Sequence, residues 1–204
     1  TKEIHDVRAR KSLYLQLVRN NFAYASQVWS PQTIQLIENI EKVQRRATKY
    51  ILNLGFATNV SYTTRLLQLG LLPLSYWHEY LDLVLLYKII NGYTYINDSA
   101  RPTMAGSGIT RSQTNKDIIK FSIPFANTVT FQTSYFIRSC KTWNILDCDL
   151  RHKDIGLYTF KSKLKTYYEH ALSNVYDCDD PRTWKSICVK CRRARSLDGG
   201  LSCC

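Results

Sequence analysis

The segment PQTIQLIENIEKVQRRATKYILNLG, residues 31–55, decides the fold class, because its apolar side chains recur at intervals of three and four residues. This period predicts one long amphipathic helix. Ser30 before Pro31 is typical of a helix start, and Gly55 predicts a left-handed cap at the other end. The predicted core face comprises Leu36, Ile37, Ile40, Val43, Ala47, Tyr50, Ile51 and Leu54.

The same predicted helix carries a row of cations on the side opposite its apolar stripe. At about 100° per residue, Lys42, Arg45, Arg46 and Lys49 centre on that opposite side. A row of this kind fits the phosphates of a nucleic acid, but the solvated face of an ordinary amphipathic helix has the same pattern. The pattern alone therefore leaves both interpretations open.

The neighbouring segments also have helical spacing. Upstream, the apolar side chains predict a helix from about Val7 to Trp29 that is buried on most sides. Downstream, a short helix is predicted from about Ser61 to a stop at Gly70. A nearly uniformly apolar helix then follows Pro73 and ends at Gly92. We expect this last helix to lie in the core.

The second half of the chain is less regular. Residues 93–116 are rich in Gly, Ser, Thr, Asn and Pro, which indicates a linker. Residues 117–125 are short and interrupted by proline, which favours an extended piece or an edge strand. Helical spacing returns over residues 130–146 and again over residues 157–172. The last of these is a second basic amphipathic helix, with Lys161, Lys163 and Lys165.

These elements predict a mainly α-helical protein, an irregular helical bundle with a small extended element around residues 117–125 and a Cys-rich tail. The 28 Lys and Arg residues outnumber the 16 Asp and Glu residues, which gives a formal net charge of +12. Such a balance favours a polyanionic partner over an acidic small molecule.

No membrane segment is expected. The most apolar window, LDLVLLYKII, contains Asp82 and Lys88 and is far shorter than the ~20 apolar residues of a transmembrane helix. The opening residues TKEIHDVRARK include neither Met nor an apolar run, which indicates a fragment without a secretory signal.

The 7 cysteines are an odd number, and four of them lie near the C-terminal end. This count argues against a disulfide scaffold and favours reduced thiols in an intracellular setting. Cys188 and Cys191 have the spacing of a zinc-binding pair, with Cys203 and Cys204 as candidate partners. Adjacent cysteines fit a tetrahedral ion poorly, so Cys178 or His170 is an alternative ligand, and free thiols remain the alternative to a metal site.

Basic side chains are interleaved with these cysteines. Between the two cysteines of the zinc-binding pair lies Lys190, and after them come Arg192, Arg193 and Arg195. A metal-pinned basic loop is one way in which proteins present cations to phosphates. The tail is therefore a further candidate nucleic-acid contact, with zinc as the one candidate cofactor.

The sequence contains no Walker loop, GxGxxG turn, GxSxG elbow or HExxH helix. No convergent set of acids, bases and nucleophiles is visible either. We therefore predict no catalytic residue and no enzymatic activity for the isolated chain.

Several stretches, taken in order, resemble one known family. They are LYLQLVRNNFAYASQVWSP, IEKVQRRATKYIL, SYTTRLLQLGLLPLSYWHEYLDLVLLYKIINGY, ITRS, SYFIRSCKTWNIL, FKSKLKTYY and the terminal DDPRTWKSICVKCRRARS with its final CC. Together they resemble the C-terminal third of the reverse transcriptases of non-LTR (LINE-type) retrotransposons. The resemblance covers nearly the whole chain.

The resemblance implies a division of the chain and a role. Residues 1–92 would be a thumb-like helical region, 93–116 a flexible linker, 117–176 a helical connector and 177–204 a basic Cys-rich tail. The parent protein would be an RNA-directed DNA polymerase, acting in the nucleus or cytoplasm. This segment would bind its RNA and DNA template–primer duplex and would adjoin the missing polymerase domain. The polymerase's metal-binding aspartates and the endonuclease residues are absent here.

Two other roles remain open. One is a protein-interaction module whose apolar helices pack on another domain, and the other is a decayed retrotransposon copy without its own activity.

Overall fold

The computed structural model of the chain describes residues 4–55, 59–97, 101–105, 117–125 and 127–184. These residues are mainly helical, which confirms the predicted fold class. The α-helices are α1 (Val7–Leu13), α2 (Asn20–Ala23), α3 (Ser26–Trp29), α4 (Ile34–Ile51), α5 (Tyr62–Leu69), α6 (Leu74–Ile90), α7 (Val129–Gln132), α8 (Tyr135–Trp143) and α9 (Leu157–Asn174). A π-helical stretch, Tyr14–Arg19, joins α1 to α2, and short 3₁₀ turns span Cys148–Leu150 and Pro181–Trp184.

The fold divides into two compact units. The first is formed by the described parts of Thr1–His78 and Tyr168–Ile187, and the second by the described parts of Glu79–Tyr167. The division of the chain at residues 93–116, which the resemblance implies, stays a prediction. Among the described residues, no helix is long and apolar enough to cross a membrane.

In the first unit, α4 packs against α1, α5 and the 3₁₀ turn Pro181–Trp184. The core is formed by apolar residues that are at most 8% exposed, including Ile51, Leu66, Leu69, Tyr76 and Trp184. Buried arginines tie the ends of helices to this core. The Arg10 guanidinium, for example, donates to the carbonyl of Tyr50 at 2.9 Å and adds to the bond that this carbonyl accepts from the Asn53 N–H at the end of α4.

His78 is buried in the same unit and has a packing role. One ring nitrogen lies 2.9 Å from the carbonyl of Phe22, and the other lies 3.2 Å from the hydroxyl of Ser30. The Trp29 ring meets the imidazole edge-on, with centroids 5.2 Å apart. Since both nitrogens and the ring edge are engaged, the imidazole fixes the irregular α2–α3 region to α6 within this unit.

In the second unit, aromatic rings from α6, α8 and α9 form the centre of the core. Tyr87 stacks on Phe160 with centroids 4.4 Å apart, and Trp143 lies 5.6 Å from the same ring. The Trp143 indole donates to the carbonyl of Ile119 at 3.0 Å. This bond anchors the predicted extended segment, which pairs through single bridges, Met104 with Phe121 and Ile118 with His152.

A buried ion pair also joins α6 to α8 in the second unit. Arg138 donates to the two Asp82 oxygens at 2.8 and 3.3 Å. Burial raises the pKa of Asp82 to about 6, although the Arg138 guanidinium lowers it. The desolvation of this carboxylate therefore outweighs the stabilisation by its partner.

Several predicted helix boundaries were wrong. The first predicted helix is broken at Ala25, whose backbone is left-handed with φ of 50°. The helix predicted to start at Pro31 begins at Ile34, because the Ser30 hydroxyl lies against His78 instead of capping the helix. Its end is turned by Asn53, with φ of 53°, and not by Gly55. Asparagine tolerates this conformation better than most residues.

Two other helix ends are confirmed. Gly70 directly follows α5 with φ of 59°, and Gly92 lies two residues after the end of α6 with φ of 72°. A left-handed glycine lets the chain turn away and lets backbone N–H groups reach the last carbonyls of the helix. The helix predicted over residues 130–146 is instead two, α7 and α8, separated at Thr133 and Ser134.

Candidate nucleic-acid interface

The face of α4 that is buried in the first unit differs from the predicted one. The buried residues are Ile37, Glu41, Gln44, Thr48 and Ile51, a stripe displaced by about a quarter turn from the predicted apolar stripe. Leu36, Val43 and Tyr50, which were predicted to be in the core, are 53%, 39% and 43% exposed. The predicted core face was therefore wrong for these three side chains.

Hydrogen bonds from other segments explain why a polar stripe is buried. Tyr14 donates to the Gln44 side-chain oxygen at 2.7 Å, and the Gln44 amide donates to the Tyr62 hydroxyl and to the Leu72 carbonyl, both at 3.0 Å. Tyr62 in turn donates to Glu41 at 2.5 Å. Buried polar groups cost little free energy when each has a partner.

Glu41 also caps α6. Its carboxylate accepts the N–H of Leu74, the first residue of that helix, at 2.9 Å. A carboxylate at this position satisfies an unpaired donor and meets the positive end of the helix dipole. Complete burial nevertheless raises the pKa of Glu41 to about 7, although hydrogen bonds from Tyr62 and Leu74 and the nearby cations Arg45 and Arg19 lower it.

Burial likewise raises the pKa of Tyr62 and Tyr14, with Glu41 adding to the effect on each. Both hydroxyls therefore stay protonated and remain donors. The hydrogen-bonded partners in this network lie between 3 and 33 positions apart in the sequence. The signal that sequence reasoning missed was the polar i, i+3, i+7 row of Glu41, Gln44 and Thr48 between two isoleucines.

The predicted cation Arg45 is engaged within the first unit. Its guanidinium carbon lies 5.0 Å from the ring centroid of Tyr62 and 5.0 Å from that of Trp184, and it donates to the Cys178 carbonyl at 3.0 Å. Cation–π contacts and a charge-assisted bond of this kind stabilise packing. Arg45 thus holds the 3₁₀ turn Pro181–Trp184 against α4.

The other three predicted cations of α4 remain on its solvent side. Lys42 and Arg46 are exposed and Lys49 is half-buried. Lys42 lies 3.8 Å from Glu38, in an exposed i, i+4 pair, and such pairs are weak. Among the described residues, neither Arg46 nor Lys49 forms an ion pair. These three side chains are called the α4 cation row.

The cations of α9 lie in the second unit and do not form one row. Lys163 and Lys165 are exposed and Lys161 is half-buried. Residues two apart on a helix do not face each other, so Lys163 and Lys165 lie on opposite flanks, about 160° apart. Lys161 and Lys165, four apart, share a flank with Tyr158, which is 86% exposed.

The predicted tail residues lie outside the described residues. They are Cys188, Cys191, Cys203, Cys204, Lys190, Arg192, Arg193 and Arg195. Zinc in the tail therefore stays a prediction. Within the described part of the chain, Asp177, Cys178 and Asp179 bring ligand atoms within 4.8 Å of one another. Both carboxylates are exposed in a turn, where the Asp179 N–H donates to Asp177 at 2.9 Å, and we assign this cluster no metal.

Comparison of the chain with protein-family models, with curated proteins and with solved structures finds no match. The residues themselves and the order of motifs along the sequence are therefore the basis for a function.

Proposed function

We propose that the chain is a non-catalytic, nucleic-acid-binding segment of a LINE-type reverse transcriptase, whose parent protein is an RNA-directed DNA polymerase. The order of motifs along the sequence supports the parentage. The excess of cations, with a formal net charge of +12, supports a polyanionic partner.

The observation that carries the binding proposal is the α4 cation row. Lys42 and Lys49 are seven residues apart, a rise of about 10 Å at 1.5 Å per residue. One strand of a duplex places about one phosphate per 3.4 Å along its axis. The row is thus long enough to meet about three phosphates of one strand.

The rest of α4 supports this role by holding the helix rigid. Its opposite side is fixed by the bonds of Glu41, Gln44 and Arg45, so the backbone that carries the cation row is ordered before any ligand arrives. Preorganisation lowers the entropy lost on binding. Lysine and arginine contacts to phosphates carry no sequence information, so binding should be indifferent to base sequence.

A titration tests the proposal directly. Two fluorescein-labelled DNA duplexes of unrelated sequence and one RNA–DNA hybrid are titrated with the chain at low ionic strength, and anisotropy is recorded. We expect similar affinities for the two DNA sequences, a steep loss of affinity with salt and displacement by heparin. No change in anisotropy with any of the three probes would overturn the proposal.

Parentage has a separate test. The reading frame upstream of Thr1 in the source DNA should encode the Asp-Asp turn of a polymerase, if the chain is part of a LINE-type reverse transcriptase. An upstream frame without such a turn would contradict the parentage and leave nucleic-acid binding as an independent question.

A further inference from the structure

The apolar stripe that α4 leaves exposed has the spacing of a coiled coil. Five apolar residues of α4 follow one another at intervals of four, three, four and three residues: Leu36, Ile40, Val43, Ala47 and Tyr50. Such alternation places side chains along one line of a helix, as at the a and d positions of a heptad. We call these five residues the heptad seam.

The heptad seam is largely exposed. At its d-like positions, Leu36, Val43 and Tyr50 are 53%, 39% and 43% exposed, and the Arg10 guanidinium carbon lies 4.9 Å from the ring centroid of Tyr50. The two residues between them, Ile40 and Ala47, are half-buried. The core of the first unit uses the neighbouring stripe of Glu41, Gln44 and Thr48 instead. The seam runs from Leu36 to Tyr50 along the 18-residue helix, and a contiguous exposed apolar line of this kind marks an interaction surface.

The spacing of the seam decides the shape of its occupant. Alternating intervals of three and four match the side chains of a second helix lying along α4, whose knobs would enter the holes between seam residues. An extended strand presents side chains with a period of two and would not match this line.

The charge beside the seam decides the chemistry of the occupant. On one side the seam adjoins residues already buried within the unit, among them Gln44 and Ile51. On the other side it adjoins Arg46, the g-like position, with Lys42 and Lys49 beyond it. In coiled coils, charges at the edge positions select the partner. A helix with acidic residues at its edge would be attracted here, whereas a second copy of α4 would bring cations against cations.

We propose that the heptad seam binds an amphipathic helix of another polypeptide, with apolar residues at a and d positions and Glu or Asp along the edge that faces Arg46. This inference does not rest on nucleic-acid binding, because it uses a different face of α4. The α4 cation row and the heptad seam share no residue, and Arg46 of the cation row lies at the border between them.

The test uses a synthetic, fluorescein-labelled peptide of about three heptads, with Leu at a and d and Glu at e and g. One control peptide has the same composition in scrambled order, and another has Lys in place of Glu. The full chain is titrated against each peptide by anisotropy. We expect the heptad peptide to bind and each control peptide to bind at least about tenfold more weakly. The scrambled peptide lacks the heptad spacing, and the Lys peptide lacks the acidic edge.

The matched protein variant is Leu36→Gln with Val43→Gln. Both side chains are exposed, so the melting temperature should stay within a few degrees of that of the parent chain. Binding of the heptad peptide should fall by about tenfold or more, as for loss of apolar anchors at the centre of an interface. DNA-duplex affinity and its salt dependence should not change, which separates this proposal from nucleic-acid binding.

Three outcomes would overturn the inference. They are no binding of the heptad peptide, equal binding of the scrambled peptide, and unchanged peptide binding by the double variant. Sedimentation of the chain alone tests whether the seam instead binds a second copy of the chain. If the parent chain dimerises and the double variant is monomeric, the seam binds a second copy, and the acidic helix is the wrong partner.

Discussion

Replacing the α4 cation row should flatten the salt dependence of DNA binding by a calculable amount. The variant carries Lys42→Gln, Arg46→Gln and Lys49→Gln. Each phosphate contact contributes about 0.9 to the slope of log affinity against log salt for B-form DNA, so the loss of three contacts should lower the slope by about 2.7. Between 50 and 200 mM salt, that difference corresponds to roughly a 40-fold change in affinity.

Arg45 stays in place in this variant, because its guanidinium holds Trp184 and the Cys178 carbonyl. The three replaced side chains lie on the solvent side of α4, so the free energy of unfolding should change by no more than about 0.5 kcal/mol. Glutamine keeps a long polar side chain with good helix propensity. Any loss of binding can therefore be assigned to charge and not to unfolding.

The assay is anisotropy of a labelled DNA duplex at several salt concentrations, with urea unfolding of each variant. A control with the same loss of charge carries Arg8→Gln, Lys141→Gln and Lys153→Gln, three exposed cations from separate segments. If the control flattens the slope as much as the α4 variant does, net charge and not the cation row governs binding. An unchanged slope in the α4 variant would equally refute the reasoning.

Three further predictions concern stability and metal content. Burial raises the pKa of Glu41 from 4.5 to about 7, so between these pH values the folded chain binds more protons than the unfolded chain. The free energy of unfolding should therefore fall as pH rises from 5 to 7, with about 2 kcal/mol of the loss coming from Glu41. The raised pKa of Asp82 acts in the same direction. In urea titrations, the Glu41→Gln variant should therefore lose only the part of this pH dependence that comes from Glu41. A wild-type free energy of unfolding that rises from pH 5 to 7 would contradict the predicted sign. Arg45→Lys should lower the free energy of unfolding by about 2 kcal/mol, since an ammonium cannot stack on two rings and donate to a carbonyl in the same geometry. Unchanged urea unfolding of this variant would show that these contacts contribute little. Elemental analysis should find about one zinc per chain, abolished by Cys188→Ser with Cys191→Ser, and a zinc content near zero in the unsubstituted chain would remove the metal from the tail.

Local sequence signals predicted which segments are helical, but they predicted only some of the residues at which the helices begin and end. The ends of α5 and α6 at Gly70 and Gly92 were predictable, because a glycine after an apolar helical run supplies a left-handed cap without steric cost. The break at Ala25 was not predictable, since alanine favours helix and only the surrounding packing holds it at a φ of 50°. The choice of Asn53 over Gly55 as the left-handed residue was not predictable either, because both residue types tolerate a positive φ.

The sequence by itself determined that the chain is helical, that α4 is amphipathic and that a row of cations lies along it, because these properties follow from spacing within one helix. Only the tertiary structure decided which stripe of α4 is buried. The burial of Glu41 and Gln44 depends on Tyr14, Tyr62 and the N–H of Leu74, which lie 18 to 33 residues away. A polar side chain can leave water only where distant segments supply its hydrogen-bond partners, and no local pattern records them.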